Sequence, residues 1–271
     1  MKTSQIPILL YHDLVSDECL NEKTGTATKG TVVKAEEFEA HLSYLKSANF
    51  TTISLADYFN LRAGKFRKPN PQKNIIITFD DGHISNYKVA FPLLAKFGFT
   101  ATFFIISERV NQAHHLTASQ IVEMSDAGME IASHGHTHNY LPLLPAEEQF
   151  TELNHSKKML EEITGKPVNF FAFPGGHYTL LSLRYLKELE YRGACSCLLG
   201  INRPHSNPFL LKRIEIRQNT SVNEFQRAFQ PLNLIFYSGV DSLKRNFKRC
   251  IGLNNYINIR KKFYSYYPFK R

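Results

Sequence analysis

Seven short apolar runs recur along the chain, each separated from the next by an amphipathic stretch. That alternation limits the possible folds more than any other feature. The runs are 6–11, 75–79, 99–106, 129–133, 168–173, 194–199 and 211–216. They are rich in Ile, Val and Phe and too short for independent helices, so they read as buried strands. Between them the apolar residues fall at helical spacing: in 35–48, Phe38, Leu42 and Leu45 share one face. Further helices are expected over 54–62, 87–97, 117–126, 146–164 and 180–191, the longest stopped by Gly165-Lys166-Pro167. Strand and helix in strict alternation imply a mostly parallel sheet with helices outside. The expected class is α/β, a deformed (β/α) barrel of about seven parallel strands. A short run at 50–53 is a possible eighth strand. The length, 271 residues, suits one such barrel.

Composition divides the chain in two. At 43% hydrophobic and 21% charged it reads as globular. The net charge of +9 is concentrated at one end: residues 231–271 hold nine Lys/Arg against the single acid Asp241. The body is therefore almost neutral, which argues against a nucleic-acid partner. The division expected is a catalytic domain over 1–230 and a basic, aromatic tail over 231–271. Four cysteines (Cys19, Cys195, Cys197, Cys250) are too few for a disulfide scaffold and read as buried thiols. The run at 6–11 ends at His12-Asp13 and is too short for a secretory leader. No stretch approaches the roughly 20 apolar residues of a spanning helix. The expectation is a cytoplasmic protein, peripheral on the inner face of the membrane through the tail.

In a parallel barrel, catalytic groups sit at the C-terminal ends of the strands. That rule selects four places: His12-Asp13, Asp80-Asp81-Gly82, His134-Gly135-His136-Thr137-His138 and Pro174-Gly175-Gly176-His177. Of two adjacent acids at a strand end, one can ligate a cation while its neighbour stays free as a base. Two imidazoles four residues apart can share a face, and with a carboxylate they are a common zinc set. His136, between them, is not expected to ligate. The Pro-Gly-Gly turn offers backbone N–H groups to a developing oxyanion.

Together these residues resemble the polysaccharide deacetylases, the NodB-homology group of carbohydrate esterases. The resemblance lies in Thr78-Phe79-Asp80-Asp81-Gly82 and in His134-Gly135-His136-Thr137-His138. Tyr11-His12-Asp13 is similar to the opening of the branch that acts on exopolysaccharide amino sugars. It covers residues 6–230 and implies removal of N-acetyl groups from an amino sugar, with a divalent metal, Zn2+ foremost. It implies Asp80 as the base, Asp81, His134 and His138 as metal ligands, and Gly175 as an oxyanion donor. His12 becomes the acid for the leaving amine. Pro174 and Gly176 fall to substrate binding.

The chain also departs from the family pattern. Ala172 stands where many members have an Arg that orients the base, and Gly175 where many have an aromatic residue. There is no late Leu-x-x-His motif and no Trp. Arg213, on a late strand and also grouped with substrate binding, is the expected substitute partner for Asp80. The expected substrate is an N-acetylated glycan or a lipid-linked amino sugar of a capsule, exopolysaccharide or lipopolysaccharide pathway. Two other readings compete: a metal-independent glycoside hydrolase built on paired carboxylates, and a catalytically silent glycan-binding relative.

Overall fold

The computed structural model describes residues 5–15, 30–65, 73–203, 205–228 and Asn255. In chain order the elements are β1 (Ile8–Tyr11), β2 (Leu14–Val15), β3 (Val33–Lys34), α1 (Ala35–Ser47), β4 (Thr51–Thr52) and α2 (Leu55–Arg62). Next come β5 (Asn74–Phe79), α3 (Phe91–Phe97), β6 (Thr102–Ile105), α4 (Ala118–Asp126), β7 (Glu130–Ser133) and α5 (Ala146–Thr164). The series ends with β8 (Phe170–Ala172), α6 (Leu180–Glu188), β9 (Gly193–Leu199), β10 (Leu211–Glu215) and α7 (Val222–Ala228).

Seven strands form a closed ring in the order β1, β10, β9, β8, β7, β6, β5, and β5 pairs back to β1. Every pairing in the ring is parallel. These are the seven apolar runs of the sequence. The run at 50–53 supplies β4, which among the described residues pairs only with the start of β5 at Asn74 and Ile75. Further along β5, at Thr78, β6 takes over as the neighbour. The eighth strand is thus an appendix to the barrel and not a stave. The parallel pair β2–β3 and helix α7 were not foreseen; two-residue strands are too short to show a period.

Side chains alternate across each strand, and the alternation builds two cores. Leu9, Ile75, Ile77, Phe79, Phe103, Ile131, Phe171 and Ile214 face outward beneath the helices. Ile8, Ile76, Phe104, Ala132, Phe170, Ala172, Cys195 and Leu211 face inward and fill the barrel. Such a barrel is packed, not a pore. On the outer side Tyr11, Phe79 and Phe103 stack in series, with centroids 5.4 and 5.1 Å apart. This ladder ties β1, β5 and β6 together just below the chemistry-bearing ends.

The N-terminal end of the barrel is closed. Glu130 accepts the N–H groups of Leu55 and Ala56, each at 2.9 Å, and the Thr102 hydroxyl at 2.7 Å. A carboxylate on the first amides of a helix satisfies donors that have no intrahelical partner. It seats α2 across the opening, where Ile53, Leu55 and Tyr58 join the inner core. The mouth at the C-terminal ends of the strands stays open for a site.

Candidate active site

Inward-facing positions continue past the strand ends. On β5 the inward series Ile76, Thr78 leads to Asp80, and on β10 Leu211 leads to Arg213. The two meet: the Arg213 guanidinium donates from both terminal nitrogens to the two oxygens of Asp80, each at 2.7 Å. Its Nε donates to the Ser196 carbonyl at 3.1 Å. Both side chains are buried. Burial alone would raise the Asp80 carboxyl, but Arg213 and then His134 outweigh it and hold it below the usual carboxylate range.

Asp81 would point outward if the strand simply continued. Instead its backbone enters the left-handed region at φ 75°, followed by Gly82 at 70°. Asp tolerates this conformation better than most residues. The turn brings the Asp81 carboxylate back to the mouth beside Asp80. Its Oδ1 lies 3.4 Å from Nε2 of both His134 and His138, and its Oδ2 lies 3.5 Å from Nε2 of His83. Burial works against its charge; the contacts with His134 and His83 reverse that and hold the carboxyl well below its ordinary range.

The two histidines reach this point differently. His134 is the inward residue after Ala132 on β7. Its Nδ1 is 2.8 Å from the Ala172 carbonyl, which can only accept, so Nδ1 carries a proton. Burial pulls the imidazole down, but Asp80 and then Asp81 outweigh it and raise it above its ordinary value. His138 arrives on a loop, with φ 69° at its own backbone. Glu152, buried on α5, organises that loop. It accepts the N–H of His136 at 2.8 Å, the N–H of Thr137 at 3.0 Å and the Thr137 hydroxyl. His136 turns away to the Ser107 hydroxyl at 2.9 Å. Burial pushes His138 down to about 4, which keeps its imidazole neutral near pH 7.

These donors fit a divalent cation. One ligand atom each from Asp81, His134 and His138 lie within 4.8 Å of one another. Ligands about 2.1 Å from one tetrahedral ion stand about 3.4 Å apart, matching the two separations from Asp81 Oδ1. Two imidazoles and a carboxylate, with one histidine locked by a backbone carbonyl, are a usual donor set for such an ion, which binds once the imidazole nitrogens facing it are free of protons.

A family model described as "Polysaccharide deacetylase" matches residues 67–194. The Bacillus subtilis protein YxkH, which carries a polysaccharide deacetylase name, is 30% identical over 224 residues, 83% of this chain and 76% of its own. The chain belongs to the polysaccharide deacetylase family. A poly-beta-1,6-N-acetyl-D-glucosamine N-deacetylase of Staphylococcus aureus is 29% identical over 77% of each chain. The structure of the Streptococcus pyogenes deacetylase PplD, solved with acetate, superposes with a TM-score of 0.76. That match is 27% identical, over 85% of this chain and all of that one. With the family comes the enzyme class, carbohydrate N-deacetylation, and the (β/α) barrel described above.

The remaining expected residues lie around the same mouth. His12 follows β1, whose end pairs with that of β5 at Tyr11 and Phe79. Among the described residues the His12 Nδ1 is buried without a hydrogen-bond partner, while its carbonyl accepts from Asn86 at 2.9 Å. Gly175, at φ 59°, is exposed; Pro174 beneath it is buried. Pro174 and Arg213, both grouped with substrate binding, are buried. A Cβ on Gly176 would fall 2.7 Å from the Cys197 Cβ, so that turn packs tightly on β9. Cys195 is buried as expected, but Cys197 is exposed at the rim; Cys19 and Cys250 lie outside the described residues.

One rim residue, Tyr140, escaped the sequence reading. The Tyr140 ring lies 4.9 Å from the His177 ring and 6.5 Å from that of His138. A Cβ on Gly175 would come within 2.9 Å of the Tyr140 ring. The missing aromatic side chain at Gly175 is thus matched by a tyrosine from the neighbouring loop. Glycine at 175 with an aromatic two residues after His138 was the available signal, but it acquires meaning only once the two loops touch.

Proposed function

We propose that this enzyme removes N-acetyl groups from an amino sugar of an exported or surface glycan, using a divalent ion, Zn2+ foremost, at Asp81, His134 and His138. The observation that carries the reading is the division of labour between neighbours. Asp80 faces Arg213, whereas Asp81 faces the histidines. An ion at those three residues would polarise the amide carbonyl and make an attacking water acidic near neutral pH. Asp80, fixed by Arg213, accepts the proton of that water. The Gly175 N–H stabilises the developing oxyanion at the exposed turn. His12, which leaves β1 beside the Asp80 end of β5, returns a proton to the amine nitrogen so that it can leave. Tyr140 and His177 offer ring faces to the sugar in a chain without Trp. Acetate in the PplD structure is the small product such a reaction releases.

The glycosidase reading fits this geometry poorly. Its two carboxyl groups must flank the scissile bond. Here both oxygens of Asp80 are held by Arg213, and Asp81 lies among imidazoles. The Staphylococcus aureus relative supports a β-1,6-linked N-acetylglucosamine polymer as the substrate class; a lipid-linked amino sugar belongs to the same reading. The basic segment 231–271 is read as the part that meets an anionic membrane face, which would place the enzyme at the cytoplasmic leaflet.

The test of the base is Asp80→Asn. Bound ion should stay at the wild-type stoichiometry while turnover falls by about 10²- to 10⁴-fold, the usual contribution of a positioned base. Unchanged turnover would remove Asp80 from that role.

A further inference from the structure

We infer that His83 is a positioning residue for the ion site: its Nε2 stands against one oxygen of Asp81, so that the other faces His134 and His138. This rests on the reading of Asp81, His134 and His138 as one ion site. The His83 side chain is 2% exposed, and among the described residues its Nε2 makes no hydrogen bond. The nearest carboxylate oxygen is Asp81 Oδ2, at 3.5 Å. A buried polar group without a partner costs about 1–3 kcal/mol, so its placement here needs a reason.

The ring cannot easily turn elsewhere. Residues 82–84 are clamped to 114–116: Leu116 donates to the Gly82 carbonyl at 3.0 Å, and Ile84 donates to the His114 carbonyl at 2.9 Å. His83 and His115 form an antiparallel bridge, with rings stacked at 5.3 Å. Gly82 lies at φ 70°, and a Cβ there would meet the Ile105 side chain at 3.2 Å. His83 is therefore held on the side of Asp81 away from the two histidines.

The three atoms that converge within 4.8 Å come from Asp81, His134 and His138, and His83 is not among them. Its place is behind the ligand. A terminal carboxylate torsion is broad and roughly two-fold. Anchoring Oδ2 from behind removes that freedom and offers Oδ1 in one orientation. Outer partners of this kind are worth about 10- to 100-fold in metal affinity.

The experiment uses the full chain, stripped of metal and titrated with Zn2+ against a competing chelator, with Co2+ absorption as a second readout of ligand geometry. His83→Phe keeps the ring and its stacking on His115 but removes the donor; His83→Gln keeps a donor. The expected result is affinity about 10- to 100-fold weaker in the Phe variant, with an altered Co2+ spectrum, and recovery to within about threefold in the Gln variant. Equal affinity in wild type and His83→Phe would overturn the inference alone. A wild-type chain that takes up no ion would overturn the ion-site reading and the inference with it. If His83→Phe does not fold, His83→Asn against His83→Leu decides on the same criterion.

Discussion

At Asp81 the backbone turns left-handed, and that single dihedral gives two adjacent carboxylates different surroundings. Asp80 keeps the inward register of β5 and meets a buried guanidinium. Asp81 swings back to face imidazoles. The Arg213–Asp80 pair is buried on both sides, and removing one partner of such a pair costs about 3–5 kcal/mol. Denaturant unfolding of Arg213→Met should show a loss of that order. Arg213→Lys keeps the charge but loses the bidentate fork. Arg213 lowers the Asp80 carboxyl, so a weaker partner lets it rise. The acid limb of kcat/KM against pH should then move to higher pH in Arg213→Lys, and an unmoved limb would separate the arginine from the base. Asp80, Asp81, His134 and His138 were legible because short motifs carry them. The left-handed turns at Asp81 and His138 were not, since both residues also occur in ordinary strands and loops. Glu152 was invisible for a different reason: its partners His136 and Thr137 lie sixteen and fifteen residues away, on another element.

Among the elements, short apolar runs rich in Ile, Val and Phe made the seven barrel strands readable and period 3.6 the helices between them. What stayed hidden was short or decided by contacts distant in sequence: β2–β3, the position of β4 outside the ring, and α7. Helix α7 is held through His41 on α1. The His41 ring stacks on Phe225 at 4.2 Å, its Nε2 donates to the Thr220 carbonyl at 2.9 Å, and its Nδ1 accepts from the Tyr11 hydroxyl at 3.2 Å. Burial lowers His41 from 6.5 to about 4. Between those values the unfolded chain binds a proton that the folded chain refuses. The contribution of neutral His41 is therefore complete above pH 6.5 and lost as pH falls toward 4. The full difference is about 3 kcal/mol, from about 1.36 kcal/mol per unit. His41→Gln should flatten this part of the stability profile in denaturant titrations at successive pH values. A slope equal to wild type would show that other groups set it.

For the whole molecule, the barrel is closed below by Glu130 and α2 and open above, so chemistry is confined to one face. Among the described residues no helix is long and apolar enough to cross a membrane. The net charge of +9 resides almost entirely in 231–271. That segment, apart from Asn255, lies outside the described residues. Each Lys or Arg beside an anionic leaflet contributes about 1 kcal/mol. Truncation after residue 230 should abolish sedimentation with anionic vesicles while leaving hydrolysis of a soluble substrate unchanged; undiminished sedimentation would detach the tail from membrane binding.

The proposed reaction is hydrolysis of an N-acetyl amide at an ion held by Asp81, His134 and His138. Its most direct measurement is acetate release from an N-acetylated β-1,6-glucosamine oligomer by the full chain, before and after chelation and after divalent ion is restored. Acetate should appear, cease with chelator and return with the ion. Acetate release indifferent to chelation, or none with the ion supplied, would contradict it.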